Sequence, residues 1–284
     1  MRTVLTIAGS DSIAGAGIQA DLKTFAALGL YGASAITAIT AQNTVGVVAV
    51  EPLAADLVTA QIEAVAGDLE LHATKVGMLA NAAIAEAVAA AIEELELPNV
   101  VLDPVLASTS GHRLLDDDGV QVMMIELIPR ARVITPNVPE AEALSGRRIS
   151  SLESAHDAAR RLHDMGAASV IITGGHLVTD ARAEGSGDNE PRPDASRGFQ
   201  PSVVDVVFDG HTFHDCRVPR VDGRSTHGTG CTFASAVAAF LAQDCALADA
   251  ASRAQQYVAG AIAHAPRIGR GRGPLDHFWQ IRRT

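Results

Sequence analysis

The chain has 284 residues, which is enough for one large α/β domain or two small ones and for a substantial buried core. It carries 22 Lys and Arg against 33 Asp and Glu, a net charge of −11, so nonspecific nucleic-acid binding is not expected. One basic stretch departs from this balance, and a solvated tail or a subunit contact is its simplest interpretation. The stretch consists of Arg267, Arg270, Arg272, Arg282 and Arg283.

Cysteine usage and hydropathy indicate the compartment. Cys216, Cys231 and Cys245 show neither CxxC spacing nor a disulfide framework, which is typical of a reducing cytosol. The first apolar run, residues 4–8, is too short for a signal peptide, and no apolar segment reaches the ~18 residues that a membrane span needs. We therefore expect a soluble cytoplasmic protein without a membrane partner.

Short β-branched runs alternate along the chain with longer alanine-rich stretches. Strands are predicted at residues 4–8, 33–41, 73–78, 100–103, 133–135 and 170–173, and a hairpin at 203–208 and 212–218. Helices are predicted at residues 15–28, 55–69, 82–95, 139–144, 152–165, 233–241 and 247–264. This alternation predicts a mostly parallel sheet with helices on both faces.

Residues 180–202 interrupt the alternation. They are rich in Gly, Ser, Pro and charged residues and contain few large apolar side chains. This composition predicts a flexible insertion, for which an active-site lid is a more specific interpretation. No internal repeat or domain boundary is evident, so we predict a single domain over residues 1–284.

In sheets of this kind, ligands bind beyond the carboxyl ends of the strands. The residues predicted at those ends are turn-forming or polar: Gly9-Ser10-Asp11, Gln42-Asn43, Gly77-Met78, Asp103-Pro104, Pro136-Asn137 and Gly174-Gly175. The turn after the first strand lacks the third glycine of the dinucleotide fingerprint, because Ala20 stands there, and the chain has no P-loop. A nucleotide would therefore be held in another way.

Gly228 and Gly230 come just before a long apolar helix. Glycines let the backbone approach a ligand, and the helix start offers free N–H groups and the positive end of its dipole. The sequence thus predicts an anion hole for a phosphate or an oxyanion. Cys231 has two interpretations, an inert buried residue or a thiol whose pKa the helix start lowers. His227 is a base or, more simply, a structural hydrogen-bonding residue.

Four polar residues elsewhere each allow more than one role. Asp103 could hold Mg²⁺ through water or cap a loop. Asn137 and Glu140 have the spacing of a capping box at a helix start that also favours phosphate, and both roles could coexist. Gln42 carries an amide that suits the edge of a heterocycle. Asp21 is, on local grounds, typical of a solvent-facing acid on a helix.

Taken together, eight motifs in order resemble the hydroxymethylpyrimidine and phosphomethylpyrimidine kinases of thiamine biosynthesis, within the ribokinase-like superfamily. They are IAGSDS at 7–12, GAGIQADLKT at 15–24, TAITAQNT at 37–44, VGML at 76–79, DPV at 103–105, TPNVPE at 135–140, GGH at 174–176 and HGTGCT at 227–232. Cys231 stands where the superfamily usually has aspartate, which is typical of the pyrimidine kinase branch. The resemblance implies a ribokinase-like three-layer αβα sandwich and a homodimer.

The resemblance also implies an activity and its residues. The activity is ATP-dependent phosphorylation of 4-amino-5-hydroxymethyl-2-methylpyrimidine and then of its monophosphate. The implied roles are substrate binding by Gln42, Asp21, Met78, Val105 and Gly9, ATP binding by Asn137, Thr173, Gly175 and Thr229, Mg²⁺ binding by Asp103 and Glu140, and an anion hole from Gly228, Gly230 and Cys231. Whether the Cys231 thiol acts as a base or only shapes the hole stays open.

Two departures from the family pattern stand out. Relatives commonly have a lysine before the Gly-Gly-His motif, where this chain has Thr173, so Lys75, Arg224 or a bound cation would have to supply the charge. The insertion at 180–202 is also longer than expected. Two alternatives remain: a pyridoxine or pyridoxal kinase of the same superfamily, and a non-catalytic protein that senses the pyrimidine.

Overall fold

The computed structural model describes residues 1–281 apart from 109, 176–177, 180–200, 222 and 224. Its strands are β1 (Thr3–Asp11), β2 (Tyr31–Gln42), β3 (Val47–Pro52), β4 (Ala73–Val76), β5 (Val100–Leu102), β6 (Val133–Ile134), β7 (Val170–Ile172), β8 (Val178–Thr179), β9 (Ser202–Phe208) and β10 (Phe213–Pro219). Its helices are α1 (Gly17–Ala27), α2 (Ala55–Ala66), α3 (Ala82–Glu94), α4 (Asp117–Val122), α5 (Val138–Ser145), α6 (Leu152–Asp164), α7 (Thr229–Ala242) and α8 (Leu247–Ala263). A π turn and a 3₁₀ turn extend α4 to Arg130.

The strands form one sheet in the order β10-β9-β7-β6-β5-β4-β1-β2-β3, with β8 paired to β9. Neighbouring strands from β7 to β2 run parallel. At the edges, β3 is antiparallel to β2, and β9 is antiparallel to both β7 and β10. The predicted mostly parallel sheet is therefore confirmed.

Helices cover both faces of the sheet. Helices α1, α7 and α8 pack on one face through side chains such as Phe25, Phe240 and Tyr257. Helices α2 to α6 pack on the other face, where Ile84 and Leu144 belong to the core. This confirms the predicted three-layer αβα arrangement.

The central strands are apolar because both of their faces are covered. Every residue of β4, β5, β6 and β7 is buried, and β1 is buried from Thr3 to Gly9. Lys75 in β4 is a buried charged residue among these mostly apolar side chains. The carboxyl ends of the parallel strands share one edge of the sheet, and the residues predicted there line up along it.

Strands β3 and β8 and helix α4 were not predicted, and helix α7 begins earlier than predicted. Strand β3 pairs only with β2 at the sheet edge and is largely exposed, so it lacks an apolar pattern. Helix α4 depends on a cap, in which the Asp116 side chain accepts the N–H of Gly119 at 2.7 Å. Helix α7 begins at Thr229 rather than 233, so Gly230 and Cys231 lie in its first turn.

The insertion predicted at residues 180–202 lies outside the described residues except for its last two, of which Ser202 begins β9. None of the helices in the described part of the chain combines the length and apolarity needed to cross a bilayer.

Candidate active site

The start of α7 has the backbone that the two glycines predict. Gly228 is the N-cap and has φ of 80°, and a Cβ atom there would lie 1.8 Å from the carbonyl oxygen of Gly15. Only glycine fits such a position. Gly230 and Cys231 follow in the first turn, where N–H groups have no carbonyl partner within the helix. The geometry is that of an open helix N-terminus, which an anion hole requires.

The turn between β1 and α1 is locked against this helix start by Asp11. Its Oδ2 atom accepts the N–H groups of Gly15 at 3.0 Å and Ala16 at 2.8 Å, and Nε2 of His227 donates to it at 2.8 Å. Burial acts to raise the pKa of Asp11, but the hydrogen bonds from His227 and the backbone outweigh it and lower the pKa. His227 is therefore a structural hydrogen-bonding residue in this structure.

Cys231 is a neutral thiol rather than a thiolate. It hydrogen-bonds to Asp103, and the backbone of Gly17 hydrogen-bonds to its sulfur. Burial raises its pKa to about 12, and the carboxylates of Asp103 and Asp21 add to this, while Lys75 acts in the opposite direction. The expectation that the helix start lowers this pKa is therefore wrong, because burial and two acidic neighbours exceed the effect of the helix dipole.

Asp103 and Glu140 are a buried pair of carboxyl groups. Burial raises the pKa of Asp103 to about 6 against the attraction of Lys75. Burial and then the charge of Asp103 raise the pKa of Glu140 to about 8. Within the described residues, Oδ2 of Asp103 is buried without a hydrogen-bond partner, and Nζ of Lys75 is 4.0 Å away. A nearby cation would relieve this arrangement.

Glu140 also caps α5. Oδ1 of Asn137 accepts the N–H of Glu140 at 3.0 Å, and Oε2 of Glu140 accepts the N–H of Asn137 at 3.0 Å, so the predicted capping box is confirmed. Asn137 forms an isolated parallel bridge with Thr173 after β7. Gly175 is exposed, with open space where a Cβ would lie, and Thr229 is partly exposed at the start of α7.

The predicted substrate residues take different positions. A Cβ at Gly9 would lie 2.9 Å from the sulfur of Met78, so the two are in contact. Val105 is partly exposed beyond β5. Gln42 ends β2 and its side chain hydrogen-bonds to Asp11, which brings it to the turn beside α7.

Asp21 lies beneath the crevice. Its Oδ2 atom accepts hydrogen bonds from Oγ1 of Thr6 at 2.6 Å and from Nζ of Lys75 at 3.0 Å. Its Oδ1 atom accepts a hydrogen bond from Oγ of Ser235 at 2.6 Å. The Asp21 side chain is 0% exposed, so the local interpretation as a solvent-facing acid is wrong. Asp21 also cannot contact the substrate directly in this structure, as the resemblance implied, because its side chain is not exposed to solvent.

Lys75 lies beside Asp21 and Asp103, a position that the sequence motifs did not predict. Burial acts to lower its pKa, but the carboxylates of Asp21 and Asp103 outweigh this and raise it, so the ammonium group stays charged. The signal in the sequence is a lysine inside an apolar strand, which requires a buried counter-charge. Lys75 does not replace the missing lysine at Thr173, because β4 and β7 are three strands apart, about 14 Å. Arg224 lies outside the described residues.

The chain is similar to known proteins over most of its length. A sequence profile described as phosphomethylpyrimidine kinase matches residues 11–276. The hydroxymethylpyrimidine/phosphomethylpyrimidine kinase of Bacillus subtilis is 45% identical over 274 residues, which cover 96% of this chain and 94% of that protein. The thiamine biosynthesis bifunctional protein of Geobacter sulfurreducens is 46% identical over 97% of this chain, which spans about half of it, 52%.

The fold is also similar to that of a solved structure. The ADP complex of Bacillus subtilis pyridoxal kinase matches with a TM-score of 0.84 and 35% identity, and covers 100% of both chains. The identity to the pyrimidine kinase, 45%, is higher than the identity to this pyridoxal kinase. The predicted ribokinase-like fold and the predicted resemblance are both confirmed. The chain therefore belongs to the phosphomethylpyrimidine kinase family.

Proposed function

We propose that this protein transfers the terminal phosphoryl group of ATP to 4-amino-5-hydroxymethyl-2-methylpyrimidine and then phosphorylates the resulting monophosphate, in thiamine biosynthesis. The observation that carries the proposal is the junction of Asp103 with the start of α7. The Cys231 thiol hydrogen-bonds to Asp103, and a Cβ at Gly230 would lie 4.0 Å from Oδ1 of Asp103. A carboxylate and an open helix N-terminus thus meet at one point, as phosphoryl transfer requires.

The helix start supplies the charge stabilisation. In the first step the bond between the terminal phosphorus of ATP and the ADP oxygen breaks, the substrate hydroxyl oxygen forms a new bond to phosphorus, and the hydroxyl proton passes to water. In the second step a phosphate oxygen of the monophosphate attacks the terminal phosphorus of ATP in the same way. The N–H groups of Gly230 and Cys231 would stabilise the charge on the transferring group. Positioning and neutralisation dominate this reaction, so a neutral Cys231 thiol that shapes the hole is sufficient.

Asp103 and Glu140 fit a Mg²⁺ site. Mg²⁺ prefers carboxylate oxygens, keeps several waters and needs few protein ligands. The unpartnered Oδ2 of Asp103 and the raised pKa values of both groups are the features that a divalent cation would relieve. When bound, the ion would neutralise the phosphates of ATP.

The remaining assignments follow the geometry of the sheet edge. Asn137, Thr173 and Gly175 lie around the ends of β6 and β7 and would hold the nucleotide, with Thr229 at the start of α7. Gln42 would bind the edge of the pyrimidine, with Gly9, Met78 and Val105 around the ring. We further expect a cytoplasmic homodimer with a single domain over residues 1–284, which remains a prediction.

ADP release tests the proposal. The purified protein with ATP and Mg²⁺ should release ADP when either the pyrimidine or its monophosphate is added, and a protein that only senses the pyrimidine would release none. Pyridoxine measured alongside tests the second candidate, which the likeness to pyridoxal kinase favours. We expect kcat/KM to be higher for the pyrimidine, and the reverse order would overturn the assignment of the substrate.

Gln42→Ala tests how the ring is recognised. Loss of the amide should raise KM for the pyrimidine about tenfold or more and leave KM for ATP nearly unchanged, because one hydrogen-bonding edge is removed. Steady-state kinetics with each substrate varied in turn measure both constants. Equal changes in the two KM values would contradict the pyrimidine-edge role.

A further inference from the structure

A cavity of about 460 Å³ lies between the β2–β3 hairpin and the loop that follows α8. It is lined by Gln42, Asn43, Thr44, Val45, Gly46, Val47, Ser108, Ser110, His227, Arg270, Gly271 and Arg272. Across the residues that the structure describes, this lining has two guanidinium groups and no carboxylate, although the chain as a whole has a net charge of −11. The composition of the cavity favours an anionic ligand.

The two arginines are held in place by the backbone around them. Oγ1 of Thr44 accepts the N–H groups of Arg270 at 3.2 Å and Gly271 at 3.1 Å, and the N–H of Arg272 donates to the carbonyl oxygen of Thr44 at 2.9 Å. Three hydrogen bonds therefore fix this loop on the tip of the hairpin.

Glycine is required for this close approach. Gly269 has φ of 78°, and a Cβ there would lie 2.3 Å from Cγ2 of Thr44. A Cβ at Gly271 would lie 2.0 Å from the carbonyl oxygen of Thr44. The alternation of glycine and arginine thus seats the loop against the hairpin and leaves both arginines at the cavity wall.

The cavity adjoins the active site. Gln42 and His227 line the cavity, and both side chains hydrogen-bond to Asp11. His227 also immediately precedes Gly228, the N-cap of α7. An anion bound between the arginines and His227 would therefore lie next to the anion hole.

We propose that Arg270 and Arg272 bind the phosphate group of the monophosphate substrate and so make the second phosphorylation step possible. This inference rests on the proposed function. Arginine suits the task because its planar group donates two parallel hydrogen bonds to phosphate, and the hydroxyls of Ser108 and Ser110 supply further donors. The unphosphorylated pyrimidine carries no such charge, so the arginines distinguish the second substrate from the first.

Direct binding tests this assignment without turnover. Isothermal titration with the monophosphate in the absence of ATP compares the wild type with an Arg270→Gln/Arg272→Gln double variant. We expect the Kd for the monophosphate to rise by about tenfold or more, because charge-assisted hydrogen bonds are lost. The Kd for the unphosphorylated pyrimidine should stay within about twofold, and Arg270→Lys/Arg272→Lys should restore part of the affinity.

Arg267→Gln is the matched control. Arg267 is an exposed arginine of the same basic stretch that does not line the cavity, so its loss should leave both Kd values unchanged. Comparison with the single variant Arg270→Gln, which also removes one positive charge, separates a specific contact from the loss of net charge. Kinetics should then show a raised KM for the monophosphate alone.

Several outcomes would overturn the assignment. They are equal monophosphate affinity in the wild type and the double variant, equal weakening of the phosphorylated and unphosphorylated ligands, and a wild type that binds inorganic phosphate but not the monophosphate. A change in molar mass by light scattering without a change in Kd would make the stretch a subunit contact. The proposed function fails on a different result, namely a wild type that binds these ligands and releases no ADP with either.

Discussion

The two glycines at the start of α7 are under different constraints, and this gives a matched pair of substitutions. Gly228→Ala would place a methyl group 1.8 Å from the carbonyl oxygen of Gly15 at a φ of 80°. We expect it to destabilise the protein by about 3 kcal/mol, because the strain and the clash act on backbone atoms. Urea denaturation measures this loss.

Gly230→Ala is the partner of that experiment. A Cβ there would lie 4.0 Å from Oδ1 of Asp103, which is an ordinary contact distance, and the residue is exposed. We expect stability within about 1 kcal/mol of the wild type but kcat at least about tenfold lower, because the methyl group enters the space proposed for the phosphoryl group. Full activity in Gly230→Ala would remove this turn from the reaction.

Asp103→Asn separates metal binding from stability. The substitution removes a buried acid whose pKa is raised to about 6, so the metal-free protein should be at least as stable as the wild type at pH 8. We expect Mg²⁺ to raise the Tm of the wild type but not that of the variant, which should also lose most of its activity. Differential scanning fluorimetry with and without Mg²⁺ measures both effects.

Asp205→Asn controls for the loss of a buried acid. Asp205 is 4% exposed, and burial raises its pKa to about 7, yet its contacts are with Gly174 and Gln255 and not with the metal pair. This variant should keep the Mg²⁺ response. A Mg²⁺ response that survives in Asp103→Asn as well would contradict the proposed metal site.

Local features of single residues were predictable from sequence, whereas electrostatic ones were not. The capping box of Asn137 and Glu140 spans three residues, so spacing alone identified it. The pKa of Cys231 depends on Asp21, Lys75 and Asp103, which reach it from α1, β4 and the end of β5. No local pattern contains the sum of those charges.

At the level of elements, the buried Asp21–Lys75 pair joins four of them. Thr6 of β1, Asp21 of α1, Lys75 of β4 and Ser235 of α7 share hydrogen bonds beneath the crevice. Lys75→Met should destabilise the protein by about 3–5 kcal/mol, because it leaves a buried carboxylate without its counter-charge. Chemical denaturation at pH 7 measures the loss.

The double variant Asp21→Asn/Lys75→Met shows whether charge is the cause. Removing both partners should recover at least half of the lost stability, since the unpaired charge is gone. A double variant as unstable as Lys75→Met would mean that packing around the lysine stem, not its charge, carries the effect.

Elements with a covered face were predictable, and those without one were not. The strands from β4 to β7 are fully buried and therefore stand out as apolar runs. The edge strand β3 pairs on one side only, and its exposed residues carry no periodic signal. Helix α7 begins four residues earlier than predicted, because Gly230 in its first turn has a low helix propensity and was therefore assigned to the preceding turn.

At the scale of the molecule, the sequence motifs predicted the residues at the strand ends but not the contact of the Arg270–Arg272 loop with the β2–β3 hairpin. The strand ends lie at one edge of a parallel sheet by topology, so their residues could be placed together in advance. Arg270 and Thr44 are 226 residues apart in sequence. They are joined by hydrogen bonds in which the N–H groups of Arg270 and Gly271 donate to Oγ1 of Thr44. No local sequence pattern predicts such a contact, so the sequence alone supported only a solvated tail or a subunit contact for the basic stretch.

Three buried carboxyl groups with raised pKa values also make the stability of the whole molecule depend on pH. The pKa values of Asp103, Glu140 and Asp205 are raised to about 6, 8 and 7, so the folded state holds their protons more tightly than the unfolded chain does. The free energy of unfolding should therefore fall as pH rises from about 4 to 8. For Asp205 alone the fall between pH 6 and pH 8 amounts to about 1 kcal/mol.

Mg²⁺ and Asp205→Asn should remove separate parts of this slope. Mg²⁺ would favour the ionised forms of Asp103 and Glu140, so in its presence stability should fall less between pH 6 and pH 8. Asp205→Asn should flatten the remainder, and the two effects should add because the groups share no contacts. Urea denaturation at both pH values, for both proteins with and without Mg²⁺, gives the four slopes. A slope that Mg²⁺ leaves unchanged would mean that the ion does not bind at Asp103 and Glu140, and the carboxyl pair would then need another explanation for its burial.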